Sequence, residues 1–429
     1  MKAEITDKEI KERIELNYKR LLEPYYQIEN VFSPSDYDWY GDKEGRALLS
    51  FVSLYKATGN KIPCMEEMLN VIKSKLNEKL YFGPAYKEGG YIREEQLSGH
   101  SWFLRGLCEH YEQFGDSLSF ELIKSVIGGL YVPIKGKFST YPIYREKSTE
   151  GGVSGNSGKY IGQWDLSSDI GCAFMSIDGI THAYKILGDT DVRSLADEMI
   201  DTFLSIDIVK LGAQTHCSLT AARGMVRMYL ITKEEKYLDG AKKIFDLYVN
   251  HGGMTYTYQN LNWWQRPDSW TEPCAIVDSF MVAMELYKIT GDENYRFLAA
   301  RIYHNGLSTS QRSNGGAGTD SLICEGNDNL YLSLQMEEAF FCCSMRLSEG
   351  LWYIHENKKL FYAVTEGEVK KNEKGIYCDG DIIYCEPSEN LLPYAENLIE
   401  IDGKKLTPII KYYKVPMNIA KEAKMRIVF

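Results

Sequence analysis

The chain has 429 residues, 44% of them apolar, and a formal net charge of −11 from 49 Lys and Arg against 60 Asp and Glu. This is ordinary globular composition, which excludes disorder, and a core of this size needs no disulfide to close it. The acidic balance, with no long Lys/Arg run, argues against nucleic acid or an anionic membrane as partner, and no apolar run approaches the ~18 residues that span a bilayer.

The N-terminus, MKAEITDKEIKERIELNYKR, is charged and amphipathic and lacks the apolar segment of a signal peptide, so the expected location is cytoplasmic. Ten cysteines in such a chain should stay reduced. Tyrosine is abundant, with 31 Tyr beside 7 Trp and 16 Phe. Rings with a polar tip suit a groove that holds a sugar, although a large helical core also uses them.

One segment then recurs: an apolar helical stretch, an aromatic, and a stop ending in Gly-Asp or a polar substitute. It reads LYKATGN at Tyr55, HYEQFGD at Tyr111, AYKILGD at Tyr184, MYLITKE at Tyr229 and LYKITGD at Tyr287, with a degenerate LWYIHEN at Trp352. The spacings of 56, 73, 45, 58 and 65 residues each fit two helices and their connections. Glycine accepts the left-handed C-terminal conformation and aspartate caps the next helix. The pattern predicts a mainly α fold, a six-hairpin (α/α)6 barrel over 1–357, although solenoids of helix pairs use the same local signals.

The loop GGVSGNSGKYIG (151–162) lacks the P-loop spacing, with Val153 and Tyr160 where glycine and a hydroxyl residue belong, and reads as a surface or rim loop. Beyond about 358 the texture changes to alternating runs such as GIYCDGDIIYCE and NLIEIDGKKLTPIIKYYKV, with the turn signal Asp402-Gly403. That predicts a small antiparallel β domain, β-sandwich-like, over 358–429 and shortened at its end.

Cys342 and Cys343 are adjacent, and Glu272-Pro273-Cys274 lies about 70 residues earlier, just before the fifth repeat helix. Neighbouring thiols are not expected to point into one helix–helix seam, and a vicinal pair is too constrained for an ordinary disulfide. Three thiolates and a carboxylate are a competent tetrahedral zinc set. Without a zinc-finger pattern, spacing alone favours three buried cysteines and a helix-start glutamate over a metal site.

The stretches WYGDKEGRALLSFVSLYKATGN, THCSLTAARGMVRMYL, TEPCAIVDSFMVAMELYKITGDENY, ARIYHNGLS and FFCCSMR resemble the β-L-arabinofuranosidase group of glycoside hydrolases, family 127 and its relatives. They cover most of the helical region in the right order, and the Glu-x-Cys and Cys-Cys pieces are the specific ones. The resemblance implies a six-hairpin barrel with β domains and a zinc cofactor held by Glu272, Cys274, Cys342 and Cys343. It also implies that Cys342 is the nucleophile of a retaining hydrolysis, with sulfur replacing the usual carboxylate. A thiolate made by zinc at neutral pH is a competent attacking group.

One departure matters. Where family members carry a general acid/base glutamate, this chain has Tyr256. A glycosidase without that acid protonates its leaving group poorly, typically losing ~10²–10⁴-fold. Asp268 is the local substitute as catalytic acid, with Glu325 and Glu338 behind it. His216 matches a substrate-contacting family histidine, and His100 occupies a similar helix start. Trp39, Trp263 and Tyr256 are further candidates for substrate binding, with Tyr40 and Trp264 beside them.

The expected function is a glycoside hydrolase acting on a short oligosaccharide or glycoconjugate. The alternatives are a non-catalytic carbohydrate-binding toroid with structural zinc, which the missing glutamate favours, and another toroid enzyme such as a sugar epimerase. The expected partners are a carbohydrate substrate and, at most, a second copy of the chain in a homodimer.

Overall fold

The computed structural model describes residues 7–33, 39–145, 156–255, 258–266, 269–318 and 338–360, together with short strands between 370 and 428. Among them, twelve α-helices exceed eight residues. The first six are α1 (Asp7–Leu21), α2 (Asp42–Thr58), α3 (Met65–Lys75), α4 (Glu94–Phe114), α5 (Ser117–Val126) and α6 (Ser176–Leu187). The others are α7 (Thr190–Ser205), α8 (Thr215–Thr232), α9 (Glu235–Asn250), α10 (Pro273–Thr290), α11 (Glu293–Arg301) and α12 (Met345–Asn357). The protein is mainly helical.

The repeated stop has a common atomic form. The N–H of Gly59, Gly115, Gly188, Lys233 and Gly291 donates to the carbonyl of Tyr55, Tyr111, Tyr184, Tyr229 and Tyr287 respectively, at 2.7–2.8 Å. All five end residues are left-handed, including Lys233 at φ 61°, a conformation that glycine adopts without steric cost. Asp116, Asp189 and Asp292 then cap α5, α7 and α11 by accepting N–H groups of the following turn. The six repeat aromatics, Trp352 included, are all half-buried.

The even-numbered helices pack in chain order, α2 on α4, α4 on α6, α6 on α8, α8 on α10 and α10 on α12. α12 then packs back on α2, so the series of neighbours closes. Each odd-numbered helix from α5 to α11 packs on the even-numbered helix before it, and α1 packs on α12. Glycines set the closeness of the inner seams. A Cβ on Gly45 of α2 would stand 2.2 Å from the backbone nitrogen of Phe103, and one on Gly179 of α6 2.7 Å from the carbonyl of Ser101.

Three expectations change here. Ser117–Ile134 is a continuous helical run, α5 extended by a π turn and a 3-10 turn, and by length and mean hydropathy (1.3) it is apolar enough to cross a membrane. Its Leu122, Ile123, Val126, Ile127 and Leu130 are buried in the core, α5 packing on α4. The 151–162 segment is not all loop. Asn156–Ile161 forms a strand, β2, antiparallel to β3 (Trp164–Ser167), which also pairs in parallel with β1 (Ile92–Arg93). Residues 151–155 lie outside the described residues. The third change, at Cys342 and Cys343, belongs to the site below.

Beyond Leu360 the described pieces are strands, and every pair is antiparallel. β4 (Lys370–Lys371), β5 (Ile376–Asp379), β6 (Ile382–Cys385) and β9 (Lys414–Pro416) make one sheet. β10 (Met425–Val428), β7 (Leu398–Ile401) and β8 (Lys404–Leu406) make another. Asp402 and Gly403, expected as a turn, lie outside the described residues.

Candidate metal and thiol centre

Glu272 is the N-cap residue of α10, Pro273 fills the first helical position and Cys274 follows in the first turn. Proline suits that position because its missing N–H would have no helical partner. The Glu272 side chain makes no capping bond, while its backbone N–H donates to Asn260 Oδ1 at 2.8 Å. The carboxylate is thereby left to face the thiols.

Cys342 and Cys343 sit in a π turn, Phe340–Ser344, that runs into α12, with Ser344 N–H donating five residues back to Ala339. Cys342 Sγ lies 3.0 Å from Cys274 Sγ, and Cys343 Sγ lies 3.8 Å from both. Neighbouring thiols therefore do share one seam. The expectation to the contrary holds for a regular α-turn, whereas this pair lies in a wider turn at a helix start.

Glu272 Oε1 is 3.5 Å from Cys342 Sγ, and one ligand atom from each of the four residues lies within 4.8 Å of the others. Zinc with ~2.3 Å bonds to sulfur places tetrahedral sulfurs about 3.8 Å apart. Two of the three sulfur separations match that edge, and the third needs a small opening. The donor set fits a zinc ion.

Cys342 is the thiol set to ionise. Hydrogen bonds from Cys274 and Cys343 hold its pKa well below the ordinary range against the effect of burial, with Arg46 and His216 adding positive charge. Burial pushes the Cys274 and Cys343 thiols up. Arg46 donates to Cys274 Sγ at 3.5 Å and pairs with Asp42 at 2.8 Å.

His216, at the start of α8, bridges two carboxylates: Nδ1 is 3.1 Å from Glu272 and Nε2 is 3.3 Å from Asp278. Burial opposes its charge, but Glu272 and Asp278 outweigh that and push its pKa up to about 9. Asp278 also accepts from Thr220, Arg223 and Arg346 at 2.7, 2.7 and 2.5 Å. Burial disfavours its ionised form, yet Arg346 and Arg223 hold the carboxyl well below the usual range. The Trp102 ring stacks on His216 and lies under the guanidinium groups of Arg46 and Arg346, 4.1 and 4.6 Å from its centroid.

Arg46, Trp102, Asp278 and Arg346 escaped the sequence reading. Asp278 had a signal: an aspartate in the apolar run CAIVDSFMVAM, four residues after Cys274 and so on the same helix face. Trp102 and the two arginines arrive from other helices, and nothing local marks them.

The remaining candidates separate. His100 is fully buried, and both ring nitrogens serve backbone: Nδ1 donates to Gln96 O at 2.7 Å and Nε2 accepts from Phe82 N–H at 3.0 Å. It has no nitrogen left for a substrate and is a correction to the expected role. Trp263 is buried at 1% exposure with its ring against Trp270, which leaves no open face for a sugar. Trp264 is equally buried and donates to Ser218. Trp39 and Tyr40 are half-buried just before α2. Glu338 accepts from Tyr26, Ser344 and Arg20, which together hold its pKa down against burial, so it is an anchored carboxylate and no proton donor. Tyr256, Asp268 and Glu325 lie outside the described residues.

Among the described residues, several buried polar atoms on the segments that lead into this centre lack a hydrogen-bond partner: Gln214 Oε1, both amide atoms of Asn262, Trp263 Nε1 and Thr271 Oγ1. They belong to the start of α8 and to the chain that leads into Glu272, segments joined by the Gln214–Trp263 bridge. Buried groups of this kind need a ligand or ordered water to satisfy them.

The chain shares its fold with sugar-processing enzymes of low sequence identity. The crystal structure of a D-mannose isomerase matches with a TM-score of 0.58 at 13% identity, over 82% of this chain and 98% of that one. An unsaturated glucuronyl hydrolase specific for heparin matches with 0.55 at 13% identity, over 82% and 99%. A β-arabinofuranosidase of glycoside hydrolase family 127 matches with 0.51 at 14% identity, over 97% of this chain and 74% of that one. No protein-family model matches the chain, and no curated protein matches it in sequence.

Proposed function

We propose that the chain is an (α/α)6-barrel glycoside hydrolase, related to the β-L-arabinofuranosidases of family 127, that uses Cys342 as its nucleophile. The observation that carries this reading is the meeting of three thiols and a carboxylate where α10 and α12 begin. The isomerase and glucuronyl hydrolase matches support the fold alone. The thiol set is what favours a thiolate glycosidase over the other chemistries of that fold.

Zinc held by Glu272, Cys274, Cys342 and Cys343 would supply the positive charge that keeps the thiols ionised. The Cys342 thiolate attacks the anomeric carbon while the bond to the leaving oxygen breaks, giving a glycosyl thioether. The leaving oxygen takes a proton, and water then displaces the sulfur, giving one proton back to the donor or to solvent and restoring the thiolate. Arg46 steadies the charge at Cys274, and the Asp278–His216 pair orients Glu272. Gln214, Asn262 and Thr271 supply unpaired polar atoms for sugar hydroxyls. The proton donor is Asp268, or solvent when the leaving group is acidic enough.

A second reading, a sugar-binding toroid without turnover, is favoured by tyrosine at position 256. An activated aryl glycoside decides between them, because its leaving group departs without protonation. Cleavage of nitrophenyl β-L-arabinofuranoside, or of another member of an aryl glycoside panel, that disappears in Cys342→Ser supports the glycosidase. Cleavage that survives in Cys342→Ser removes the thiolate mechanism. Sugar binding without cleavage of any activated glycoside, in protein with zinc bound, selects the binder.

A further inference from the structure

The inner helices present a second opening, away from the thiols. Cys274 and His216 lie in the first turns of α10 and α8 and Arg46 near the start of α2, whereas the later turns of α4, α6, α8 and α10, with Glu349, Trp352 and Tyr353 of α12, line a cavity of about 320 Å³. Along α8, His216 and Arg227 are eleven residues apart, which is about 16 Å of helix. The cavity therefore sits at the opposite end of the ring from the thiol centre. Its volume is at the lower end of the range of ligand sites.

Among the described residues, Arg227 is the cavity guanidinium with a single carboxylate partner. Asp178, fully buried beneath the cavity, pairs with Arg227 at 2.6 Å and lies 3.1 Å from Arg105 and 3.7 Å from Arg223, but Arg105 also pairs with Glu109 and Glu349, and Arg223 with Asp278 and Glu349. The carboxylates that line the cavity are each also bound by a cation outside it: Glu109 by Lys56, Glu285 by Lys288, and Glu349 by Arg346. Arg227 makes all its bonds, to Asp178 and Thr181, through Nη1. Its Nη2 and Nε have no bond among the described residues, and the side chain is 16% exposed. Arg227 thus lines the cavity with two guanidinium nitrogens unbonded among the described residues. Val226, Leu230, Met281 and Trp352 form the apolar part of the wall.

We propose that this cavity is a binding site for a small oxyanion on an apolar body, an organic carboxylate or a phosphate monoester. The Nη2–Nε edge of Arg227 takes two oxygens of the anion side by side, the arrangement a guanidinium favours. The ring or chain of the ligand lies against Met281 and Trp352. A neutral sugar, the substrate class proposed for the other mouth, would leave the Arg227 edge unpaired, so the two sites differ in chemistry.

Phenyl phosphate and benzoate are the probes, with inorganic phosphate and sodium chloride as controls, on the full chain. Saturable quenching of tryptophan fluorescence by either aromatic anion is expected, lost in Trp352→Phe, with a Tm rise of roughly 2–4 °C near saturation. Phenyl phosphate alone would identify a phosphate site, benzoate alone a carboxylate site. Arg227→Gln should weaken binding at least tenfold while leaving the alkylation rate of Cys342 unchanged. Met281→Trp, which fills the cavity without touching its charges, should block binding as well and serves if Arg227→Gln folds poorly. No saturable binding of either anion, an equal response to chloride, or undiminished binding in both variants would overturn the proposal.

Discussion

Cys274 and Cys342 are 68 residues apart in sequence, and their sulfurs lie 3.0 Å apart. Two sulfurs that close, with a third at 3.8 Å and a carboxylate oxygen beside them, cannot all carry charge unless a cation joins them. The centre is therefore built either for a metal or for a single ionised thiol with two neutral donors. Arg46 and His216 add positive charge at Cys342, the sulfur that both other thiols serve.

This leads to the first prediction. Protein purified without chelator should carry about one zinc per chain by elemental analysis, and Cys274→Ser should release it. Chelation should lower Tm, since binding of the ion only to the folded state stabilises that state. Folded, fully active protein with no zinc and four freely alkylated thiols would rule the metal centre out.

Asp278 is the hub beneath the thiols, and its loss should be costly. Asp278→Asn leaves Arg346 and Arg223 short of their shared buried carboxylate, and breaking a buried ion pair costs roughly 3–5 kcal/mol. Urea unfolding should report a loss in that range. His216 should also lose its hold on Glu272, so zinc should dissociate more readily than from the wild type. An isostable variant with unchanged zinc affinity would show that Asp278 has no such role.

Acid should weaken the fold through His100. Burial pushes its pKa down to about 4 from an ordinary 6.5, against the opposing bond to the Gln96 carbonyl. Between those values the unfolded chain takes up a proton that the folded one refuses. The stabilisation is thus complete above about pH 6.5 and is lost as pH falls through 4. His100→Gln keeps a donor and an acceptor but no titration, so Tm should fall less steeply between pH 7 and 4. An unchanged slope would assign the acid sensitivity to other groups, His182 first among them, whose pKa burial and Arg105 also lower to about 4.

The inner ring should tolerate no side chain at Gly45. Its Cβ would meet the Phe103 backbone, which cannot swing aside, so Gly45→Ala should cost about 1–3 kcal/mol despite the better helix propensity of alanine. Gly188→Ala tests a different cost, since nothing lies within 4 Å of a Cβ there and only the left-handed backbone at φ 63° resists it. Thermal melts of the two variants separate packing from conformation, and a neutral Gly45→Ala would mean the seam can open.

The helical part of the fold was legible because its signals are local. A glycine after an apolar run, an aromatic four residues before it and an aspartate after it act within one turn, and each reappears as a hydrogen bond between neighbours in sequence. The Glu-x-Cys and Cys-Cys pieces were legible as a ligand set only through the family resemblance, since their spacing alone suits buried structural cysteines.

What the sequence by itself determined, then, was the run of helices and their stops, with Glu272, Cys274, Cys342 and Cys343 as candidates through the family resemblance. Only the tertiary structure decided that the four donors meet, that a π turn aims both vicinal thiols at Cys274, and that Arg46, Trp102 and Arg346 stack over the same point. It also decided that His100 belongs to the backbone around it and that Arg227 leaves Nη2 and Nε unbonded among the described residues. The physical reason is range. Capping and helix periodicity act over three or four residues, whereas charge pairing and desolvation depend on which helices the closing ring brings together.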